Sequence, residues 1–220
     1  MKKLKKTFLI LLTVIYIVTF FPSTTKAFIP SDVSIVKDSK RISTLPNNFR
    51  KTTDINELTK LKSLDLTGID KLNISGSEQF SSMNLPLIKD EIDDKFSIIA
   101  VDLREESHGF INGIPISFEN EHNNANKGFS LNDITIIEKK NLDSIKLNTP
   151  LTLHNGKVII PKKVETELQL TKDNNISYIR IPVTDGGLPT DDMGELLSTY
   201  RSGSFLVNIP NGTSLPKLIR

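Results

Sequence analysis

Apolar positions in this chain gather into short blocks separated by turn residues, and each block's pattern predicts an element. Phe96-Ser97-Ile98-Ile99-Ala100-Val101 is a nearly continuous apolar run, as expected of a strand buried on both faces, and the predicted strand covers 96–103. It ends in the charged cluster Asp102-Leu103-Arg104-Glu105-Glu106-Ser107-His108-Gly109, a common way to present side chains at a sheet edge. Ile114-Pro115-Ile116-Ser117-Phe118 reads as a second short strand, and its proline places it at an edge. The β-branched and aromatic run 176–183, ISYIRIPV, predicts a third. It feeds the polar loop Thr184-Asp185-Gly186-Gly187-Leu188-Pro189, after which Thr190 caps a helix. Between these strands, 77–94 has no turn residue except Pro86 and predicts a helix. Ser130-Leu131-Asn132-Asp133 has capping-box spacing and opens a helix through about Ile145, and Val164 to Leu170 is a short one. Asn155-Gly156 between two apolar runs predicts a hairpin. Strands alternating with helices make an α/β layered domain.

Two stretches are less regular. Residues 28–54 are interrupted by Pro30, Ser31, Ser39, Ser43, Pro46, Asn47 and Asn48, and read as an irregular lead-in along the surface. Leu58, Leu61, Leu64 and Leu66 fit one leucine-rich repeat unit, but the pattern does not recur, and a solenoid needs about three stacked units to bury its core.

Composition divides the chain at Ala27. Met1-Lys2-Lys3-Leu4-Lys5-Lys6, an uncharged run from Phe8 to Phe21 and the small-residue site Thr25-Lys26-Ala27 form a signal peptide, cleaved after Ala27 to release a secreted chain. The alternative is an N-terminal membrane anchor, for which 14 apolar residues are short against the roughly 20 needed to span a bilayer. Without the five lysines of that segment, 23 basic residues face 26 acidic ones, a formal charge of −3. No basic stripe with interleaved aromatics is left to bind nucleic acid. The chain has no cysteine, which excludes disulfides and a thiol nucleophile within these residues. The 193 residues after Ala27 form one domain of ordinary size.

Three histidines, His108, His122 and His154, show no paired metal-ligand spacing, and neither G-x-S-x-G nor G-x-x-x-x-G-K-[ST] occurs. Two places can carry chemistry. In the charged cluster, Arg104 offers a planar fork for phosphate or carboxylate, and Glu106 can pair with His108. The other reading of the cluster is a solvated loop with weak internal ion pairs. Asp185, on a glycine-rich loop between strand and helix, is placed to donate a proton to a leaving group, or serves only as turn chemistry.

Four strings, LPNNFRKTTD, GIDKLNISGSEQF, VDLREESHGFINGIPISF and IRIPVTDGGLPT, in this order and spacing, resemble the protein-tyrosine-phosphatase-like inositol polyphosphate phosphatases, or cysteine phytases. The match runs from about Leu45 to about Arg201. The resemblance implies an incomplete α/β phosphatase-like domain with a small barrel-like β addition. It also implies a substrate that is an inositol polyphosphate or another phosphorylated small molecule, and no cofactor or metal. Asp185 would be the general acid. Arg50 would bind the polyanion, Arg104 and Lys157 would add positive charge, and Glu106 and His108 would support the phosphate pocket.

The family's nucleophile is the cysteine of H-C-x-x-G-x-x-R-T. Here the residues after Arg201 read SGSFLVNIPNGTSLPKLIR, a divergent tail with no such loop, so the resemblance implies a family chain without turnover of its own. A frame disruption near Ser202 is the simplest account. Gly186 and Leu188 stand where the family has a histidine and an aromatic, and Asn123 where it often has an aspartate. Residues 203–209 are the only candidate for part of the strand that precedes the family's loop. With no helical cover after them, the expected behaviour is association or loose packing.

Overall fold

The computed structural model describes residues 33–39, 42–54, 67–68, 71, 73–92, 97–120, 125–184 and 204–208, the last as backbone only. Eleven strands and three helices are formed among them. The elements are β1 (Ser34–Lys37), β2 (Arg50–Lys51), β3 (Ile74–Ser77), α1 (Asn84–Glu91), β4 (Ile98–Arg104), β5 (His108–Ile111), β6 (Ile114–Glu119) and α2 (Leu131–Asp143). They continue with β7 (Leu151–Thr152), β8 (Val158–Ile159), β9 (Val164–Glu165), α3 (Glu167–Asp173), β10 (Ser177–Val183) and β11 (Ser204–Asn208). No helix among the described residues is long and apolar enough to cross a membrane.

The main sheet has the order β10-β4-β11-β3-β2, with β10, β4, β11 and β3 parallel and β2 antiparallel at one edge. β4 is buried at all seven positions, which is why it reads as a continuous apolar run. Its period of two sends Ile99, Val101 and Leu103 to one face, where they pack with Ile179, Ile181 and Val183 of β10. Ile98 and Ala100 point the other way, onto Phe80, Leu85, Ile88, Phe110 and Leu170. On that second face both strands turn polar toward their carboxyl ends, at Asp102 and Arg104 in β4 and at Arg180 in β10. Arg180 is in register with Asp102.

A second sheet, β1-β6-β5-β9, is wholly antiparallel and encloses a smaller core with Leu142 and Ile145 from α2 and its C-terminal end. The barrel-like addition is not seen as a closed barrel among the described residues, where this sheet is open. A third sheet is the hairpin β7-β8.

The helix α2 begins where its sequence predicts, whereas α1 begins at Asn84 rather than near 77 and α3 at Glu167 rather than at Val164. Ser130 Oγ accepts from Asp133 N at 3.2 Å, capping α2, and Thr166 Oγ1 accepts from Gln169 N at 3.1 Å, capping α3. Ahead of α1, Ser81 and Asn84 exchange side-chain to backbone bonds of 2.7 and 3.2 Å. Pro86 lies in the first turn of α1, where no intrahelical donor is lost.

Several expectations are corrected. Residues 28–54 are not wholly irregular, because β1 and β2 form there by pairing with β6 and β3. The segment 164–170 is a strand followed by a helix, since Val164 pairs with Ile111 before Thr166 starts α3. Pro115 sits in an interior strand, not at an edge. Its carbonyl accepts from Asp38 N at 3.1 Å, so its missing donor faces the β1 side, just past Lys37, the last residue of that ladder. Asn155-Gly156 does turn between β7 and β8, but Asn112-Gly113, with φ of 54° and 76°, makes the tighter two-residue hairpin between β5 and β6. The strand expected within 203–209 is β11, seated between β3 and β4. The leucines at 58–66, the Thr190 helix and the cover beyond 208 lie outside the described residues.

Candidate functional site and its buried charge network

The carboxyl ends of the parallel strands lie along one edge of the main sheet, at Ser77, Arg104, Val183 and Asn208. In open α/β sheets ligands bind in the crevice outside these ends. Arg50 is brought there because β2 runs against β3, pairing Arg50 with Gly76 near the carboxyl end of β3. The preceding loop is clasped to that strand. Glu78 N donates to Asn47 O at 3.0 Å, and Asn48 Nδ2 donates to Glu78 Oε1 at 2.5 Å. The loop Glu105-Glu106-Ser107 follows β4 at the same edge. It is pinned by Asn126 Nδ2, which donates to Glu105 O at 2.9 Å and to Ser107 Oγ at 3.0 Å. β10 ends at Val183 beside Arg104, and Asp185, two residues further on, lies outside the described residues.

The charged cluster is not a solvated loop. Arg104 is 1 % exposed and His108 is 1 % exposed. The Arg104 guanidinium donates from Nε to Glu106 Oε1 at 2.6 Å and from Nη1 to Asp38 Oδ2 at 3.0 Å, and Nη1 also donates to Gln79 Oε1. It is thus turned inward to protein carboxylates. Glu106 pairs with Arg104 rather than with His108, and it is the Glu106 carbonyl that meets His108 Nδ1, at 2.8 Å. Lys157 stands on the exposed β7-β8 turn, on a different sheet from Arg50 and Arg104.

Three further elements, β10, α2 and α3, close the network. Arg180, from β10, donates from Nε to Arg104 O at 3.1 Å, from Nη2 to Glu106 O at 2.7 Å and from Nη1 to Glu138 Oε2 on α2 at 2.6 Å. Tyr178 Oη donates to Asp102 Oδ2 at 2.7 Å. Glu167 opens α3, and its Oε2 accepts from Gln79 Nε2 at 3.0 Å. His108 Nε2 lies 3.2 Å from Asp102 Oδ2 and 3.4 Å from Glu167 Oε2.

Proton affinities follow from these distances. Burial alone would lower His108, but the Asp102 carboxylate outweighs the opposing Arg104 and Arg180 and, with Glu138, pushes it up to about 10. Burial would raise Asp102 and Glu106, yet His108 and Arg180 hold Asp102 well below the carboxylate range, and Arg104 and His108 lower Glu106. Burial would also lower both arginines, and their carboxylate neighbours overcome it.

Sequence reasoning brought Arg104, Glu106 and His108 together correctly but missed Asp38, Glu138, Glu167, Tyr178 and Arg180. Three of these carried a readable signal. Tyr178 and Arg180 alternate with Ile179 and Ile181 in an otherwise apolar strand, and Glu138 shares the buried face of α2 with Ile134, Asn141 and Leu142.

The mixed α/β fold that carries this edge matches the fold of protein tyrosine phosphatase-like (PTP-like) phytases. Solved structures carry that relationship to particular proteins. The tandemly repeated PTP-like phytase from Mitsuokella multacida superposes with a TM-score of 0.68 at 28 % identity, covering 82 % of this chain and 34 % of that one. The PTP-like myo-inositol phosphatase from the same organism, solved in complex with myo-inositol-(1,3,4,5)-tetrakisphosphate, gives 0.68 at 27 % identity with the same coverage. A PTP-like phytase from Bdellovibrio bacteriovorus shares the fold, with a TM-score of 0.64 at 22 % identity over 86 % of this chain and 66 % of that one. Effector protein hopD2 of Pseudomonas syringae pv. tomato is 26 % identical over 166 residues, 68 % of this chain and 35 % of that protein. No protein-family model matches the chain. The chain therefore stands in a family relationship to the PTP-like phytases, and spans about a third of the length of the Mitsuokella proteins and of hopD2.

Proposed function

We propose that this is an exported chain of the cysteine-dependent inositol polyphosphate phosphatase type, with residues 1–27 as its signal peptide. Its carboxyl-edge crevice binds inositol polyphosphates or similar phosphorylated small molecules, and these 220 residues alone do not hydrolyse them. The observation that carries the reading is the placement of Arg50, the Arg104–His108 loop and the strand leading to Asp185 along one carboxyl edge of the main sheet, where α/β sheets bind ligands. The inositol tetrakisphosphate complex of the Mitsuokella relative supports the ligand class.

In this reading Arg50 meets the polyanion, Asp185 is the general acid and Lys157 adds charge from outside the edge. Arg104, Glu106 and His108 set the shape of the pocket from behind, because their charges are already paired inward. No cysteine is present to attack phosphorus, which is why binding without turnover is proposed. The second reading, a dedicated non-catalytic inositol-phosphate-binding module, rests on the same absence.

Calorimetry of the purified chain with inositol hexakisphosphate at low salt is expected to show saturable binding. Arg50→Ala should weaken it about tenfold, the loss of one charge-assisted contact worth roughly 1.5 kcal/mol. No saturable heat would refute ligand binding. Phosphate release that Asp185→Asn abolishes would refute the absence of turnover.

A further inference from the structure

We propose that Asp102, His108 and Glu167 form a buried site for one divalent transition-metal ion with mixed nitrogen and oxygen preference, Zn²⁺ being the best match. The site lies behind the phosphate crevice and shares His108 with the residues that shape it, but the ion would take no part in binding phosphate. Among the described residues this is the one group of three such donors whose ligand atoms all lie within 4.8 Å of one another.

The geometry points to a cation at this spot. His108 Nδ1 is occupied by the Glu106 carbonyl at 2.8 Å, which leaves Nε2 as the nitrogen facing the two carboxylates. Nε2 is buried and has no hydrogen-bond partner of acceptable geometry, although Asp102 Oδ2 and Glu167 Oε2 stand 3.2 and 3.4 Å away. With Nδ1–H donating, the unpartnered Nε2 lone pair faces two carboxylate oxygens that also accept from Tyr178 Oη and Gln79 Nε2, and a cation or a proton between them relieves that convergence. Those two spacings match the edge of a tetrahedral shell, about 3.3 Å for metal–ligand bonds of about 2.0–2.1 Å.

The surroundings fit a metal site in two further ways. Two of the donors are oriented from behind, since Asp102 Oδ1 accepts from Arg104 N at 3.0 Å and His108 Nδ1 is held by a backbone carbonyl, while Gln79 Nε2 donates at 3.0 Å to the same Glu167 Oε2 that faces His108. Charge favours the ion as well. Five carboxylates, Asp38, Asp102, Glu106, Glu138 and Glu167, surround Arg104 and Arg180, a formal excess of three negative charges. A proton on His108 reduces it to two and a divalent ion to one. The proton is the rival occupant, and metal uptake must release it. A cavity of about 650 Å³ between α2 and α3 lies next to the site, its lining including Tyr178 and Arg180, both in contact with Asp102.

The test is titration of the chelator-treated full chain with Co²⁺ and Zn²⁺ after long equilibration. Expected are one ion per chain, visible ligand-field bands for Co²⁺, and a histidine nitrogen at about 2.0–2.1 Å by X-ray absorption of the Zn²⁺ form. Glu167→Gln should weaken binding at least about tenfold, while Asp143→Ala, at an exposed carboxylate on α2, should leave it unchanged. Failure of the folded chain to take up either ion overturns the proposal. So does an ion bound without a histidine nitrogen, or affinity indifferent to Glu167→Gln. Should Glu167→Gln not fold, the absorption spectrum of the unmodified chain decides.

Discussion

Arg104 illustrates how one residue's role depends on what its side chain meets. Its fork is the shape that grips phosphate, yet it is saturated from within by Glu106, Asp38 and Gln79. Removing it would leave two buried carboxylates without their partner, and breaking a buried pair from one side costs about 3–5 kcal/mol. Arg104→Met is therefore expected to lower the unfolding free energy by that amount, read as a lower urea midpoint at unchanged slope. A loss below about 1 kcal/mol would mean that the carboxylates find other partners. Arg104, Glu106 and His108 were legible as a cluster because they are adjacent in sequence. Asp38, Glu138 and Glu167 were not, because each arrives from a different element.

At the scale of elements, caps and strand periodicity were legible, and the pairing of strands was not. Ser130 and Thr166 start their helices as local chemistry dictates, whereas Pro115 was misassigned to an edge because the register of β1 against β6 is not a local property. The close fit of α2 on the second sheet turns on Gly109. A Cβ there would lie 2.8 Å from the Glu165 carbonyl oxygen and 2.8 Å from a Leu142 methyl. Gly109→Ala must push α2 or β9 outward, an overpacking cost of about 1–3 kcal/mol that equilibrium unfolding would register. Retention of full stability would show that α2 is less tightly seated than its contacts indicate.

For the whole molecule, the charge knot ties the main sheet, the second sheet and helices α2 and α3 into one unit, so its protonation should govern stability. Raising His108 from 6.5 to about 10 stabilises the fold fully below pH 6.5, and that contribution is lost as pH rises through about 10. Lowering Asp102 and Glu106 stabilises it above their ordinary values of 3.8 and 4.5, and that is lost as pH falls. The groups facing His108 are Asp102 from β4, Glu138 from α2, Glu167 from α3 and the two arginines. In chelator, thermal stability is expected to peak between about pH 4.5 and 6.5 and to fall on both sides. A melting temperature flat from pH 6 to 10 would show that His108 is not held charged.

Burial of β4, the caps of α2 and α3, and the hairpin turn at Asn155-Gly156 were set by local pattern, since each depends on residues a few positions apart. The resemblance to the phosphatase family likewise rested on contiguous strings. The seat of β11 between β3 and β4, the interior place of Pro115 and the inward turn of Arg104 came only from long-range pairing. Strand order and side-chain partners depend on which surfaces meet when layers pack, and a charged residue declares whether it faces solvent, substrate or another charge only once those layers have closed around it.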